Sequence, residues 1–363
     1  MTDKKIPFVG LHAHSVAGSI FDAIGYPNEH MDFCYENGGE ALALTDHGNM
    51  NGFSHQFLHW QKMQAEGKEF KPIFGVEAYF LPSIDEWRDD YNRIKEDAKL
   101  AKSLAKAGDT SGATVEDEDA SKKAIKSVIN RRRHLVLLAQ NQTGLNNLFK
   151  LISESYHEEN FYRYPRVDYK LLDKYSEGVI AASACLGGPY AGNYWANREE
   201  GPEAVREAMR ETTRQFVKIF GDRWYGELQW NNIPEQHELN QYIIEVCKEF
   251  DVTLISTADS HYPNTEAWKD RELYKRLGWL GKGTPAWAED NTELPPGVEE
   301  IGYELYPKNG NQMWDAYKQY SKSCGFEYDD QLVMDSITET HKIAFNRIES
   351  FIPDTTVKLP DFV

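Results

Sequence analysis

The chain has 363 residues, of which 40% are hydrophobic and 13% aromatic, and a formal net charge of -18. That length and apolar content support a packed core in one large domain with an appendage, or in two ordinary domains, and exclude a disordered chain. The charge argues against non-specific coating of nucleic acid, which needs a positive field, but leaves room for a local site whose metal ions are not in the count.

No apolar run approaches the ~20 residues of a membrane helix, and the opening "MTDKKIPFVG" lacks the apolar core of a signal peptide. A soluble, cytoplasmic protein without a membrane partner is expected. Cys34, Cys185, Cys247 and Cys324 are widely spaced and form no C-x-x-C pair, so reduced thiols are expected rather than a disulfide framework or a zinc finger.

In chain order, short runs rich in Val, Ile, Leu and aromatics read as strands: "PFVGLHAH" (7–14), "ALALTDH" (41–47), "PIFGVEAYF" (72–80), "HLVLLAQ" (134–140), "GVIAASAC" (178–185), "WYGELQW" (224–230) and "VTLISTADSH" (252–261). Most are separated by text with helical spacing. "NEHMDFCYENGG" ends in glycines as a helix stop would, and "GFSHQFLHWQKMQAEGK", "NQTGLNNLFKLISESYH", "PEAVREAMRETTRQFVKIFG" and "EQHELNQYIIEVCKEF" carry apolar residues at helical intervals. Strand–helix alternation predicts an α/β fold of parallel strands joined by helical crossovers. About 260 residues with seven strands fits a closed (β/α)7-type barrel better than an open sheet, with sites at the carboxyl ends of the strands.

Two segments stand apart. Residues 84–133 are strongly charged and read as two exposed helices joined by the polar loop "GDTSGATVEDEDA". The plainer reading is a solvated hairpin inserted between strands; the functional one is an arm whose Lys122, Lys123, Lys126, Arg131, Arg132 and Arg133 meet nucleic-acid phosphate. The tail after residue 262 reads as helices ("TEAWKDRELYKRLGWLGKG", "NQMWDAYKQYSKSCG", "DSITETHKIAFNRIESF") and a proline-marked end, "IPDTTVKLPDFV". The division is therefore 1–275 for the barrel and 276–363 for a helical extension.

Ionisable residues collect at the strand ends. His12 and His14 end the first run, Asp22 follows on a loop, and Asp46 and His47 end the second. Glu77 lies in the third run, His134 starts rather than ends the fourth, Cys185 ends the fifth, and Asp259 and His261 end the seventh. Alternate strand residues share a face, so H-x-H and D-x-H can each send two ligands to one site. Each residue alone is weak evidence, but so many ionisable groups beside buried strands are costly unless ions compensate them. Imidazole, carboxylate and one thiolate suit Zn2+, with Mn2+ or Fe2+ as the alternatives. Nine ligands exceed the needs of one ion, and two or three ions of this kind hydrolyse phosphate esters.

The strand-end texts, joined by "ALALTDHGNMNG", "KPIFGVEAYF", "HLVLLAQNQTGLNNLFKLIS", "FGDRWYGELQ" and "LISTADSHY", resemble the PHP (polymerase and histidinol phosphatase) domain. The likeness is greatest to the PHP domain at the N-terminus of bacterial DNA polymerase III alpha subunits and covers about residues 6–275, with "YELYPKNGNQMW" and "VKLPDF" resembling the end of that region. The resemblance implies a distorted seven-stranded barrel with a trinuclear metal site. Carried over by position, His12, His14, Glu77 and Asp259 would hold one ion and form the catalytic group around a metal-activated hydroxide. Glu77 would bridge to a second ion with His134 and Cys185, and Asp22, His47 and His261 would hold a third. The complete set implies a 3'-5' exonuclease acting on single-stranded or frayed DNA 3' ends, in a bacterial or phage-infected cytoplasm. The alternatives are a small-molecule phosphatase of the histidinol-phosphatase type and a non-catalytic module of a split polymerase.

Three departures stand out. Asp22 falls one residue later than the family's spacing and is followed by Ala23 instead of glycine; the charged insertion is long; and the chain stops at Val363 without a polymerase palm. It is therefore expected not to polymerise alone. A free-standing enzyme, one piece of a split polymerase whose catalytic subunit is a separate chain, and a trimmed chain all fit.

Other residues are set aside. His55 and His59 share a helix face without the Glu of an H-E-x-x-H motif, and His30, His157, His237 and His341 read as surface. Cys34, Cys247 and Cys324 read as core. Asp46 either orients His47 or caps the following turn. Arg163 and Arg166 alternate with Tyr162 and Tyr164 and could stack on a single strand, or pack on the barrel.

Overall fold

The computed structural model describes residues 5–106, 115–279 and 304–356. Its centre is a curled sheet of six strands in the order β1 (Ala41–Leu44), β2 (Lys71–Phe80), β3 (Arg133–Ala139), β4 (Val179–Ala182), β5 (Trp224–Gln229) and β6 (Thr253–Thr257). Helices pack outside it: α1 (Pro27–Glu36), α2 (Phe53–Ala65), α5 (Gln142–Ser155), α8 (Pro202–Phe220) and α9 (Pro234–Glu249) fall where the apolar spacing predicts, and the short α6 (Tyr169–Lys174) and α7 (Pro189–Asn197) add to them.

Two expectations are corrected. The seventh strand is absent as a regular strand among the described residues. Residues 8–14 are extended but make single bridges to two different neighbours, Gly10 to Leu42 on one side and Ala13 to Ser260 on the other, so neither side builds a continuous ladder. The sheet is also not all parallel: β3 runs antiparallel to both β2 and β4. That reversal explains His134. The amino end of an antiparallel strand lies beside the carboxyl ends of its neighbours, so a histidine that starts β3 arrives where the others finish.

The strands sort their side chains by alternation. Ile73, Val136, Leu138, Ile180, Tyr225 and Ile255 fill the inside of the curl, together with Val9 and Leu11. Leu42, Phe74, Val76, Leu135, Leu137 and Leu228 face outward under the helices. The C-terminal region enters the inner core. α11 (Gly310–Cys324) and α12 (Asp330–Lys342) lead into a π-helical turn, Ile343–Arg347, and Ile343, Ala344 and Ile348 pack with Val9 and Ile255. Lys71 Nζ donates to the carbonyls of Ala344 and Ile348 at 2.7 and 2.6 Å, tying that turn to the start of β2.

The insertion forms α3 (Ile84–Lys106) and α4 (Val115–Asn130). The predicted loop over 108–120 is corrected at its end, because residues 115–120 are helical; residues 107–114 lie outside the described residues. The base of the hairpin is anchored by Leu81, Ile84, Trp87 and Val128, all buried, while most of its described charged residues are exposed or half-buried. The predicted helix from 265 is observed as α10 (Trp268–Trp279). Its continuation, and the end of "IPDTTVKLPDFV", lie outside the described residues. No described helix is long and apolar enough to cross a membrane.

Three packing expectations also change. His30 and His237 are buried rather than at the surface: His30 Nε2 meets the Ile24 carbonyl at 2.9 Å, and His237 bridges Tyr328 Oη and the Asn231 carbonyl, both at 2.9 Å. Partners distant in sequence satisfy their rings. Cys34 and Cys247 are core, but Cys324 is half-buried.

Candidate metal centre

The structure brings all nine predicted ligands to one end of the sheet. His12 Nε2 lies 3.2 Å from Glu77 and 3.1 Å from Asp259, and His14 Nε2 lies 3.1 Å from Asp259 and 3.8 Å from Glu77. Glu77 also meets His47 Nδ1, and His134 Nδ1 at 3.2 Å. Cys185 Sγ is 3.7 Å from His134 Nδ1. On the other side, Asp22 lies 3.0 Å from His47 Nε2 and 3.4 Å from His261 Nε2. The His14 and His47 rings stack at 4.2 Å.

Three groups have ligand atoms within 4.8 Å of one another: His12, His14 and Glu77; His47, Glu77 and His134; and His14, His47 and His261. The first holds three of the four residues expected together, without Asp259. In the second His47 takes the place expected for Cys185, and in the third His14 that of Asp22, although Cys185 and Asp22 touch those groups. One predicted ligand, Asp259, sits on backbone that few side chains adopt, with φ +49°, and so does Ala184, the residue before Cys185, with φ +57°.

The donor set fits divalent ions on an observation independent of family. Glu77 is completely buried, yet neither of its oxygens has a hydrogen bond, and His12 Nε2 and His47 Nδ1 also lack one. These atoms approach each other without hydrogen-bond geometry. Buried polar atoms left so are costly, and a shared cation satisfies them together.

The electrostatics follow from the same crowding. Burial alone would raise Glu77, but His134 and His47 outweigh it and hold the carboxyl well below its usual range. Burial would likewise raise Asp259, and His12 and His261 reverse the direction. His12 is held high because Asp259 and Glu227 outweigh its burial, whereas burial, His47 and His261 push His14 down. Burial, Asp259 and Glu77 push the Cys185 thiol well up.

Surrounding groups fix the ring orientations. His261 Nδ1 donates to the Asp259 carbonyl at 2.7 Å, which turns Nε2 toward Asp22. Asp46 does not touch the His47 ring. It accepts from the Ser15 amide at 2.6 Å and from the Ser15 and Ser19 hydroxyls, both at 2.9 Å, so it organises the loop after His14 instead. Burial pushes its carboxyl up to about 6. Gly18 closes over it, since a Cβ there would stand 2.5 Å from the Asp46 side chain.

Two site residues escaped the sequence reading. Glu227, on β5, is fully buried, and its Oε1 lies 2.6 Å from His12 Nδ1, also meeting Thr257 Oγ1 and, at 3.2 Å, Gln229 Nε2. A carboxylate behind an imidazole fixes its tautomer and strengthens it as a ligand. The only signal was an acid inside an apolar strand run. Arg271, on α10, donates through Nε to the Asp22 carbonyl at 2.6 Å and through Nη2 to its carboxylate at 2.8 Å.

The proposed DNA-contact arginines divide. Arg166 is corrected: it is buried, donates to the carbonyls of Tyr162, Tyr164 and Ile129, and stacks on Trp87 at 3.9 Å, which makes it part of the packing. Arg131 pairs with Asp90 at 2.5 Å. Arg132 lies over Tyr164 at 3.8 Å and Tyr79 at 5.1 Å, and Tyr79 in turn stacks on His47. Arg133 is half-buried against Gly192, and Arg163 is exposed. Lys123 and Lys126 are exposed, while the side chain of Lys122 lies outside the described residues. His55 and His59 share α2 as expected, and His59 pairs with Asp32 at 2.8 Å.

Comparison with known proteins gives the family. DNA polymerase III subunit alpha from Aquifex aeolicus is 39% identical over 259 residues, which is 71% of this chain and 18% of that protein. The same subunit from Borreliella burgdorferi is 34% identical over 310 residues, 85% of this chain and 22% of that protein. The chain thus spans about a fifth of the length of these relatives. Among solved structures, an amidohydrolase from Chromobacterium violaceum aligns with a TM-score of 0.34 at 13% identity, covering 73% of this chain and 96% of that one, a distance at which nothing about function transfers. A family model described as the PHP domain matches residues 10–231, the span that holds the strand-end ligands from His12 to Cys185. The chain belongs to the PHP-domain family.

Proposed function

We propose that the chain is a metal-dependent phosphoesterase that removes nucleotides from DNA 3' ends at a centre of two or three divalent ions. The observation that carries this reading is Glu77, buried among imidazoles with no hydrogen bond to either oxygen. His12, His14, Glu77 and Asp259 hold the first ion, with Glu77 shared toward His134 and Cys185. His47, His261 and Asp22 form the outer end. The mixture of imidazole, carboxylate and one thiol favours Zn2+ or Mn2+, with Fe2+ as the alternative. When bound, the ions supply positive charge for phosphoryl oxygens and an acidified water.

The chain's own residues supply the rest. Glu227 holds His12 with Nε2 toward the centre. Arg132 and Arg133 line a cavity of about 520 Å³ beside β3, and Arg132 reaches the centre through Tyr79. They make a local path for strand phosphates on a chain whose net charge of -18 opposes DNA elsewhere. Relatedness to polymerase III alpha subunits supports DNA as substrate and association with a polymerase.

The test is a 3'-labelled single-stranded oligonucleotide with protein loaded with Zn2+ or Mn2+. Stepwise shortening that disappears with His12→Ala plus Glu77→Ala is the expected result. Intact DNA in the presence of stoichiometrically bound metal overturns the reading, and faster turnover of a phosphomonoester than of the oligonucleotide reassigns the site to a small-molecule phosphatase.

A further inference from the structure

A second cavity, of about 250 Å³, opens directly from the metal centre, with Cys185, Asp259 and His261 forming its inner wall. Its outer part is of different chemistry. Leu186, Ile233 and Leu305 supply apolar walls, and the side chains of Asn231 and Gln236 sit between them. Asn231 is 6% exposed and Gln236 1%, yet Asn231 Oδ1 and Gln236 Oε1 have no hydrogen-bond partner among the described residues. Both oxygens lie beneath the cavity surface, and leaving them unpaired is costly; a ligand that draws these side chains toward it recovers that cost. Arg271 and Lys275 stand at the rim, Arg271 paired with Asp22 and Lys275 with Glu272.

We infer that this cavity is the subsite for the base of the nucleotide being released, read by the amides of Asn231 and Gln236. This rests on the proposed exonuclease reading and assigns its substrate contacts. The aliphatic walls of Leu186, Ile233 and Leu305 suit the apolar faces of a base. Amides present both a donor and an acceptor, as the edges of bases require. The phosphate of the same nucleotide then falls at the inner wall, among the predicted ligands. The cavity is too small for a paired end, so the terminal nucleotide enters unpaired, which favours frayed over matched 3' ends.

The test compares 2'-deoxyadenosine 5'-monophosphate with 2-deoxyribose 5-phosphate by calorimetric titration of the whole chain, manganese-loaded and metal-free. The nucleotide is expected to bind at least about ten-fold more tightly, the value of one or two buried hydrogen bonds plus stacking. Asn231→Ala and the near-isosteric Asn231→Leu should each remove most of that preference while leaving sugar-phosphate binding unchanged, and Asn231→Leu should not lower the thermal midpoint, since it removes an unpaired buried oxygen. Equal affinity for the two probes, or a preference that survives both variants, overturns the assignment. The outcome is separable from the parent reading. A protein that keeps the base preference but leaves 3' ends intact retains this subsite and loses the exonuclease function. One that trims 3' ends without the preference retains the function and loses the subsite.

Discussion

Glu77 and Asp22 stand at opposite ends of one cluster and are built differently. Glu77 lies within a strand, is completely buried, and has imidazoles around it but no hydrogen bond. Asp22 lies on a loop, its side chain is 41% exposed, and Arg271 already pairs with it, with His47 and His261 beside it. The strand side is organised in advance and is costly without cations. The loop side is satisfied without one, because a guanidinium supplies the charge. The difference teaches that a ligand set complete in sequence can still be unequal in its need for metal.

That contrast can be broken most sharply by Glu77→Ala. It should empty the centre of the ion it shares and slow phosphodiester hydrolysis by at least about 10³-fold, read by metal analysis and oligonucleotide turnover. Acid gives a second handle, through His30 on α1 beside the loop that carries Asp22. Burial pushes His30, whose ring Nε2 meets the carbonyl of Ile24, from its ordinary value of 6.5 down to about 4. Between those values the unfolded chain holds a proton that the folded chain refuses. The stability from His30 is therefore complete above about pH 6.5 and is lost as the pH falls to about 4. His30→Gln should remove that component, on the order of 3 kcal/mol, from the acid limb of a denaturation series. An unchanged acid limb would show that His30 titrates normally.

Two smaller effects sharpen the comparison. Glu227→Gln keeps a hydrogen-bonding group behind His12 but removes the charge, and should weaken metal binding by about ten- to a hundred-fold in a chelator competition. Asp22→Asn should cost only about ten-fold in rate and leave the ion at His12, His14 and Asp259 in place, since its carboxylate is the most exposed of the set and already paired with Arg271. If Asp22→Asn proves as damaging as Glu77→Ala, the two ends are equivalent and the distinction fails.

Much of the centre was legible because strand alternation is local. The one-residue spacing in His12–His14 suits an extended segment, while Asp259 and His261 lie past the end of β6, where Asp259 has φ +49°, and reach the site through that turn of the backbone. Glu227 was not legible, because nothing near "WYGELQW" distinguishes it from any strand acid and its partner His12 is 215 positions away. Arg166 misled for the opposite reason. Its aromatic neighbours suggest stacking on a strand of nucleic acid, but Trp87 and the carbonyl of Ile129, both on the insertion, bury it. His237 followed the same rule, since Tyr328 and Asn231 close over it from distant text.

Composition and periodicity were sufficient for the α/β class and most element positions, because those depend on spacing along the chain, and the nine candidate ligands came from the strand-end residues together with the family resemblance. Direction and closure were not encoded locally. The reversal of β3, the bridging of residues 8–14 to two neighbours, and the entry of Ile343 and Ala344 into the inner core each depend on which segments meet across the fold. The same holds for the unequal settings of Glu77 and Asp22: burial and charge compensation are properties of neighbours in space, and only packing brings Arg271 to one carboxylate and leaves the other to its imidazoles.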